Sequence, residues 1–79
     1  MNKITDNLAD QSLVSVCMAT YNGEKYLKEQ LDSILKQIKS SDELIISDDG
    51  STDLTCTIIK EYQKEYKNIY FQVDYIIMQ

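Results

Sequence analysis

Two adjacent carboxylates, Asp48 and Asp49, stand out in the stretch Ser47-Asp48-Asp49-Gly50-Ser51-Thr52-Asp53. They directly follow the apolar run Leu44-Ile45-Ile46, which reads as a buried strand. A carboxylate so placed can accept a hydrogen bond from a nucleobase N–H, such as N3–H of uracil or thymine. A second stretch, Met18-Ala19-Thr20-Tyr21-Asn22-Gly23, ends an earlier apolar run and supplies Tyr21, an aromatic ring able to stack on a base. In open α/β sheets, ligands bind at the carboxyl ends of the strands. The same residues also have plainer uses. A tyrosine after a strand serves packing, and aspartates in such a turn serve as turn and cap residues.

The elements that must position these groups follow from periodicity. Leu13 to Ala19 reads as a first strand, apolar on both faces except at Ser15, a pattern typical of parallel sheets covered by helices. Glu24 to about Ile38 is a helix: Leu27, Leu31, Ile34, Leu35 and Ile38 fall at offsets of 0, 4, 7, 8 and 11, one apolar stripe. Asn22 is the expected N-cap and Glu24 suits the positive end of the helix dipole. Lys25, Lys28, Glu29 and Asp32 form its solvated face. Glu43 to Ser47 is a second strand. Gly50 permits a tight turn, and Ser51 or Thr52 caps a second helix from about Asp53 to Lys67, with Ile58, Ile59, Tyr62 and Tyr66 on one face. Ile69 to Val73 is a third strand. The order β-α-β-α-β, with right-handed crossovers, predicts an α/β fold with a parallel sheet in strand order 3-2-1 and both helices on one face.

Composition bounds the rest. The chain has 79 residues, room for one small domain. At that length only roughly 60% of the unfolded surface is buried. Residues 1–12 read as a polar lead-in and 13–79 as the domain. The net charge is −5, with no arginine, so nucleic-acid binding is not expected. Cys17 and Cys56 are expected to be reduced, packed thiols. Cytosolic residence is expected, since the chain shows neither a signal peptide nor a transmembrane segment.

The chain has no G-x-G-x-x-G, no P-loop glycine pattern and no histidine, which leaves no nucleophile–base pair of the usual kinds. No catalytic residue and no metal ligand is therefore assigned.

The segment VSVCMATYNGEKYLKEQLDSILKQ, residues 14–37, resembles the opening of a family 2 glycosyltransferase, and ELIISDDGSTD, residues 43–53, resembles that family's second block. The resemblance covers about Leu13 to Phe71. It implies the amino-terminal half of a GT-A, Rossmann-like domain that binds the nucleotide of a sugar donor. It implies that Ala19, Thr20 and Tyr21 line the base pocket, that Asp49 hydrogen-bonds the base with Asp48 shaping the loop, and that Glu24 lies near the nucleotide. It implies a uridine, thymidine or guanosine diphosphate sugar as partner, an acceptor hydroxyl, and polysaccharide synthesis. It also implies Mg²⁺ or Mn²⁺, held by a later D-x-D-like motif, and a later acidic general base. No two aspartates here stand two positions apart, so the ligands for that cation are expected to be absent from this chain. A truncated enzyme, inactive alone, is the expectation. A non-catalytic nucleotide-binding fragment or gene remnant is the alternative. A receiver-like Mg²⁺-binding domain ranks lower, because the first strand ends in Ala19-Thr20-Tyr21 rather than an acidic pair. The apolar first strand would also form an exposed sheet edge, open to self-association.

Overall fold

The computed structural model describes residues 13–74. Five elements run β1 (Ser15–Thr20), α1 (Glu24–Gln37), β2 (Glu43–Asp48), α2 (Thr55–Glu65) and β3 (Ile69–Val73). The three strands form one parallel sheet with β2 in the centre, the expected 3-2-1 order. Val16, Leu44 and Ile69 lie in one register row, and Met18, Ile46 and Phe71 in the next. This is the β-α-β-α-β arrangement of the amino-terminal half of a GT-A, Rossmann-like domain.

The helical stripes do what their spacing implies. Leu27 and Leu31 from α1 and Ile59 from α2 meet Leu44, Ile46 and Ile69 in one core, each at most 3% exposed. Ile34, Leu35, Ile38, Ile58, Tyr62 and Tyr66 pack around it. Both helices therefore cover the same sheet face. The two are also bridged outside the core, where the Tyr62 hydroxyl donates to Asp32 at 2.7 Å. Burial and that bond push the Tyr62 phenol up to about 12. Asp32 is exposed, as expected for the solvated face, and also takes part in the helix–helix contact.

Three further expectations change. β1 begins at Ser15, and Leu13 and Val14 are exposed before it. Among the described residues β1 is not buried on both faces: Ser15, Cys17 and Ala19 are exposed while Val16 and Met18 turn to the core. The reason is that both described helices lie on one side, so the row Cys17–Ile45–Tyr70 has no helix over it. Cys17 is accordingly an exposed thiol, not a packed one, and Cys56 is half-buried. The α1 boundary differs from the expectation by one residue, whereas α2 is shorter at both ends. The lead-in, residues 1–12, lies outside the described residues.

By residue type, Lys39-Ser40-Ser41-Asp42 is a polar connection between α1 and β2. Asp42 is in fact only 3% exposed. Its carboxylate accepts the backbone N–H groups of Lys39 (2.8 Å) and Val14 (3.1 Å), and its carbonyl accepts from Asn68 Nδ2 at 2.8 Å. Those two N–H bonds hold its carboxyl below the usual range. Asp42 pins the start of all three strands.

The outer edge of β1 is unpaired among the described residues, and an unpaired edge next to an uncovered apolar row favours pairing with another chain. We expect the 79-residue chain to associate with rising concentration in size-exclusion chromatography, and amide exchange to be slowest in Leu44–Ile46. A strict monomer with equally slow exchange across Val16–Met18 would contradict this.

Candidate nucleotide-binding site

The carboxyl end of the sheet carries two loops, one after β1 and one after β2. The register pairs Thr20 with Asp48, and the Asp49 N–H donates to the Thr20 carbonyl at 3.0 Å. Tyr21 and Asp49 therefore leave adjacent strands side by side. Tyr21 is 61% exposed, and Asp49 is also exposed.

Asp48 is fully buried. Its Oδ1 accepts from the hydroxyls of Thr20 (2.7 Å) and Ser51 (2.6 Å). Its Oδ2 accepts from the Ser51 N–H (2.7 Å) and the Cys56 thiol (3.5 Å). Burial by itself would raise this carboxyl. The bonds from Ser51, Thr20 and Cys56 outweigh burial and hold it down to about 2. Conversely, burial and the bond to Asp48 push the Cys56 thiol up. The turn that makes this possible needs Gly50, whose φ of 82° lies in the left-handed region.

The expected helix caps are rearranged. Asn22 takes φ 46°, a conformation asparagine tolerates better than most residues. It does not cap α1. Its Oδ1 accepts the Thr52 N–H at 2.8 Å, and its own N–H donates to Ser51 Oγ at 2.7 Å. Neither Ser51 nor Thr52 caps α2. The N-cap position is Leu54, without a side-chain cap bond, and just before it Asp53 Oδ1 accepts the Thr55 N–H at 2.9 Å, an Asx-turn bond between residues two apart. Its Oδ2 reaches across to the Glu24 N–H at 3.2 Å, the first residue of α1. Glu24 answers with Oε1 accepting the Leu54 N–H at 3.1 Å. The Gly23 N–H donates to the buried Thr55 hydroxyl at 2.9 Å. Each loop thus satisfies the backbone donors that begin the other's helix. Burial would raise the Asp53 carboxyl, but its bonds to Thr55 and Glu24 lower it.

Of the residues singled out in the sequence, Thr20, Tyr21, Asp48 and Asp49 meet at this edge. Ala19 sits one step back on the uncovered sheet face, and Glu24 is bound to the opposite loop. The Thr20 side chain is 7% exposed and turned toward Asp48. Asp53 and Thr55 were missed as organising residues. The signal was an aspartate two residues before a threonine at a helix start.

Among the described residues no three acidic, cysteine or histidine side chains are grouped to hold a metal ion. Asp48 has both oxygens engaged and Asp53 both of its own. The residues described do not form a Mg²⁺ or Mn²⁺ site.

The family model described as glycosyl transferase family 2 matches residues 15–76. This chain belongs to glycosyl transferase family 2. Among curated relatives, the dTDP-rhamnosyl transferase RfbG of Shigella flexneri is 50% identical over 52 residues, 66% of this chain and 18% of that protein. The poly(ribitol-phosphate) beta-glucosyltransferase of Bacillus spizizenii is 38% identical over 58 residues, 71% of this chain and 9% of the relative. The poly(ribitol-phosphate) beta-N-acetylglucosaminyltransferase TarS of Staphylococcus aureus is 43% identical over 53 residues, 65% and 9% respectively. The chain spans at most about a fifth of each of these relatives. The match includes both loops just described, so this family 2 segment carries the paired strand ends within its matched region.

The Asp48 network makes an acid-sensitive contribution to stability. Its folded pKa lies below the ordinary carboxylate value of 3.8, so the stabilisation is full above about pH 4 and is lost as pH falls toward 2. The size is about 2 kcal/mol by that shift. We expect Asp48→Asn to destabilise the chain at pH 7 by about 1.5–3 kcal/mol, the worth of hydrogen bonds to a charged group. The gap should close as the pH approaches 2. Denaturant titrations by circular dichroism at pH 7, 4 and 2.5 would read it. A gap that stays constant across that range would rule the account out.

Proposed function

We propose that this family 2 segment recognises the base of a nucleoside diphosphate sugar, as part of a glycosyltransferase that moves the sugar to an acceptor hydroxyl in polysaccharide synthesis. The observation that carries this is the contrast between two adjacent aspartates. Asp48 is buried and fully hydrogen-bonded, whereas Asp49 is held beside Tyr21 with its carboxylate exposed. A fixed acceptor next to an exposed aromatic ring suits a flat heterocycle that presents an N–H.

Uracil and thymine present such a group at N3, and one relative is named a dTDP-rhamnosyl transferase. Guanine presents an N–H at N1 as well, so the acceptor alone does not separate the three bases, and the relative's name favours a thymidine-type donor. Ala19, on the uncovered sheet face, is the candidate to line the base pocket beside Tyr21, while Thr20 acts through Asp48, which sets the direction of Asp49. The diphosphate lies away from this edge: both helix starts, the usual places for phosphate, already hold carboxylates from Asp53 and Glu24. Any divalent cation for the diphosphate takes its ligands from outside the described residues.

Two free cysteines accord with a reducing compartment. No helix among the described residues is long and apolar enough to cross a membrane. A cytoplasmic enzyme, or one peripheral to a membrane, is the proposed setting.

The test is titration calorimetry with uridine and thymidine diphosphate. Asp49→Ala should weaken binding by roughly tenfold or more, the loss of a hydrogen bond to a charged acceptor. Glu65→Ala, at the far end of α2, should leave it unchanged. Equal affinities for the two variants would remove Asp49 from the site. The 79-residue chain alone should form no glycosidic product from nucleotide sugars and acceptors with Mn²⁺ present. Product above background would overturn the assignment of metal ligands and general base to residues elsewhere.

A further inference from the structure

The exposed carboxylate of Glu24 has a use other than contact with the nucleotide. Its Oε1 accepts the Leu54 N–H at 3.1 Å, while its own N–H donates to Asp53 Oδ2 at 3.2 Å. Asp53 Oδ1 in turn accepts the Thr55 N–H at 2.9 Å. Residues 24 and 53–55 therefore close a two-way clasp between the start of α1 and the start of α2. Tyr21 stands three residues before one half of it, and Asp49 four residues before the other. The backbone donors concerned have no intrahelical acceptor, because they lie at or before the first turn of each helix.

We propose that Glu24 is a positioning residue: by accepting the Leu54 N–H it joins Asp53 in a reciprocal clasp that holds Tyr21 and Asp49 at a fixed separation. This role rests on nucleotide recognition at the Tyr21–Asp49 edge. Without the clasp the strand ends stay joined, Asp49 to the Thr20 carbonyl and Thr20 to Asp48, and the loops keep the bonds Gly23–Thr55 and Asn22–Thr52. The fold then survives, but the loops flanking Tyr21 and Asp49 lose one of their cross-links, and part of the ordering of the two recognition groups falls to the ligand. Preorganisation of that kind changes affinity without any contact to the ligand. The acceptor, not the charge, is what the clasp requires, since Leu54 offers a backbone N–H.

Four proteins decide the matter: wild type, Glu24→Ala, Glu24→Gln and Asp53→Asn, each titrated with uridine and thymidine diphosphate. Amide exchange at Leu54 is followed by NMR in the same samples. Glu24→Ala should bind about three- to tenfold more weakly, the scale of one lost hydrogen bond, with faster exchange at Leu54. Glu24→Gln keeps an oxygen for Leu54 and should restore both affinity and slow exchange. Asp53→Asn loses one acceptor of the bridge and should weaken binding in the same direction, which serves as the test if Glu24→Ala fails to fold. Wild-type affinity in Glu24→Ala overturns the proposal. So does a Glu24→Gln protein that binds as weakly as Glu24→Ala while Leu54 stays protected, since the charge would then be acting on the ligand. If wild type binds neither diphosphate although Leu54 is protected, nucleotide recognition itself fails and the positioning role falls with it.

Discussion

The carboxyl end of this sheet is governed by the need to satisfy backbone N–H groups where two helices begin side by side. A helix start leaves several donors without intrahelical partners. Here the partners come largely from the other loop: Thr55 for Gly23, Asp53 for Glu24, Glu24 for Leu54 and Asn22 for Thr52. The two loops therefore cannot be described separately. Asp48 fastens this assembly to the sheet, because its carboxylate joins the last residue of β1 to the turn after β2.

That constraint consumes most of the acidic groups at this edge. Asp48, Asp53 and Glu24 are all drawn on by backbone or hydroxyl donors. A cluster rich in carboxylates thus has far less capacity for a cation or a positively charged partner than its composition suggests. What is left is chemically simple, an exposed aromatic ring and an exposed carboxylate on adjacent strand ends. A groove of about 480 Å³ elsewhere, lined by Val16, Met18, Gln30 and Ile34 among others, lies along β1 and α1 and includes neither Tyr21 nor Asp49. Its position follows from the unpaired β1 edge, not from the paired loops.

Much of the fold was legible because periodicity reports directly on burial. The Leu27–Ile38 stripe, the Leu44–Ile46 run and the Ile69–Val73 run each identify an element, and the order of elements with right-handed crossovers then dictates the sheet. The error at β1 has a physical cause: an apolar strand looks the same whether one or both faces are covered. The caps were misassigned because Asn22, Ser51, Thr52 and Asp53 are all competent acceptors. Which donor each one meets depends on residues about 30 positions away. Local capping preference holds no information about such distant partners. Asp42 escaped notice for the same reason, since its acceptors serve Val14 across the sheet as well as nearby Lys39.

The two ends of β2 explain why the proposed recognition is placed at one of them. Asp42 just before the strand and Asp48 at its last residue are both buried carboxylates that tie neighbouring strands together. At the amino end the tied groups are backbone donors and Asn68, and next to Asp42 on the strand is Glu43, paired with the Ser15 hydroxyl. At the carboxyl end the chain continues as Asp49, held through its own N–H with its carboxylate exposed. A buried acid that orders the backbone, followed at once by an exposed acid whose direction that backbone dictates, is what makes Asp49 suitable for the proposed recognition. Exchange the two residues' roles and the exposed acceptor would lose its fixed direction. The adjacent pair is therefore informative as a pair: the first aspartate is needed in order for the second to be aimed.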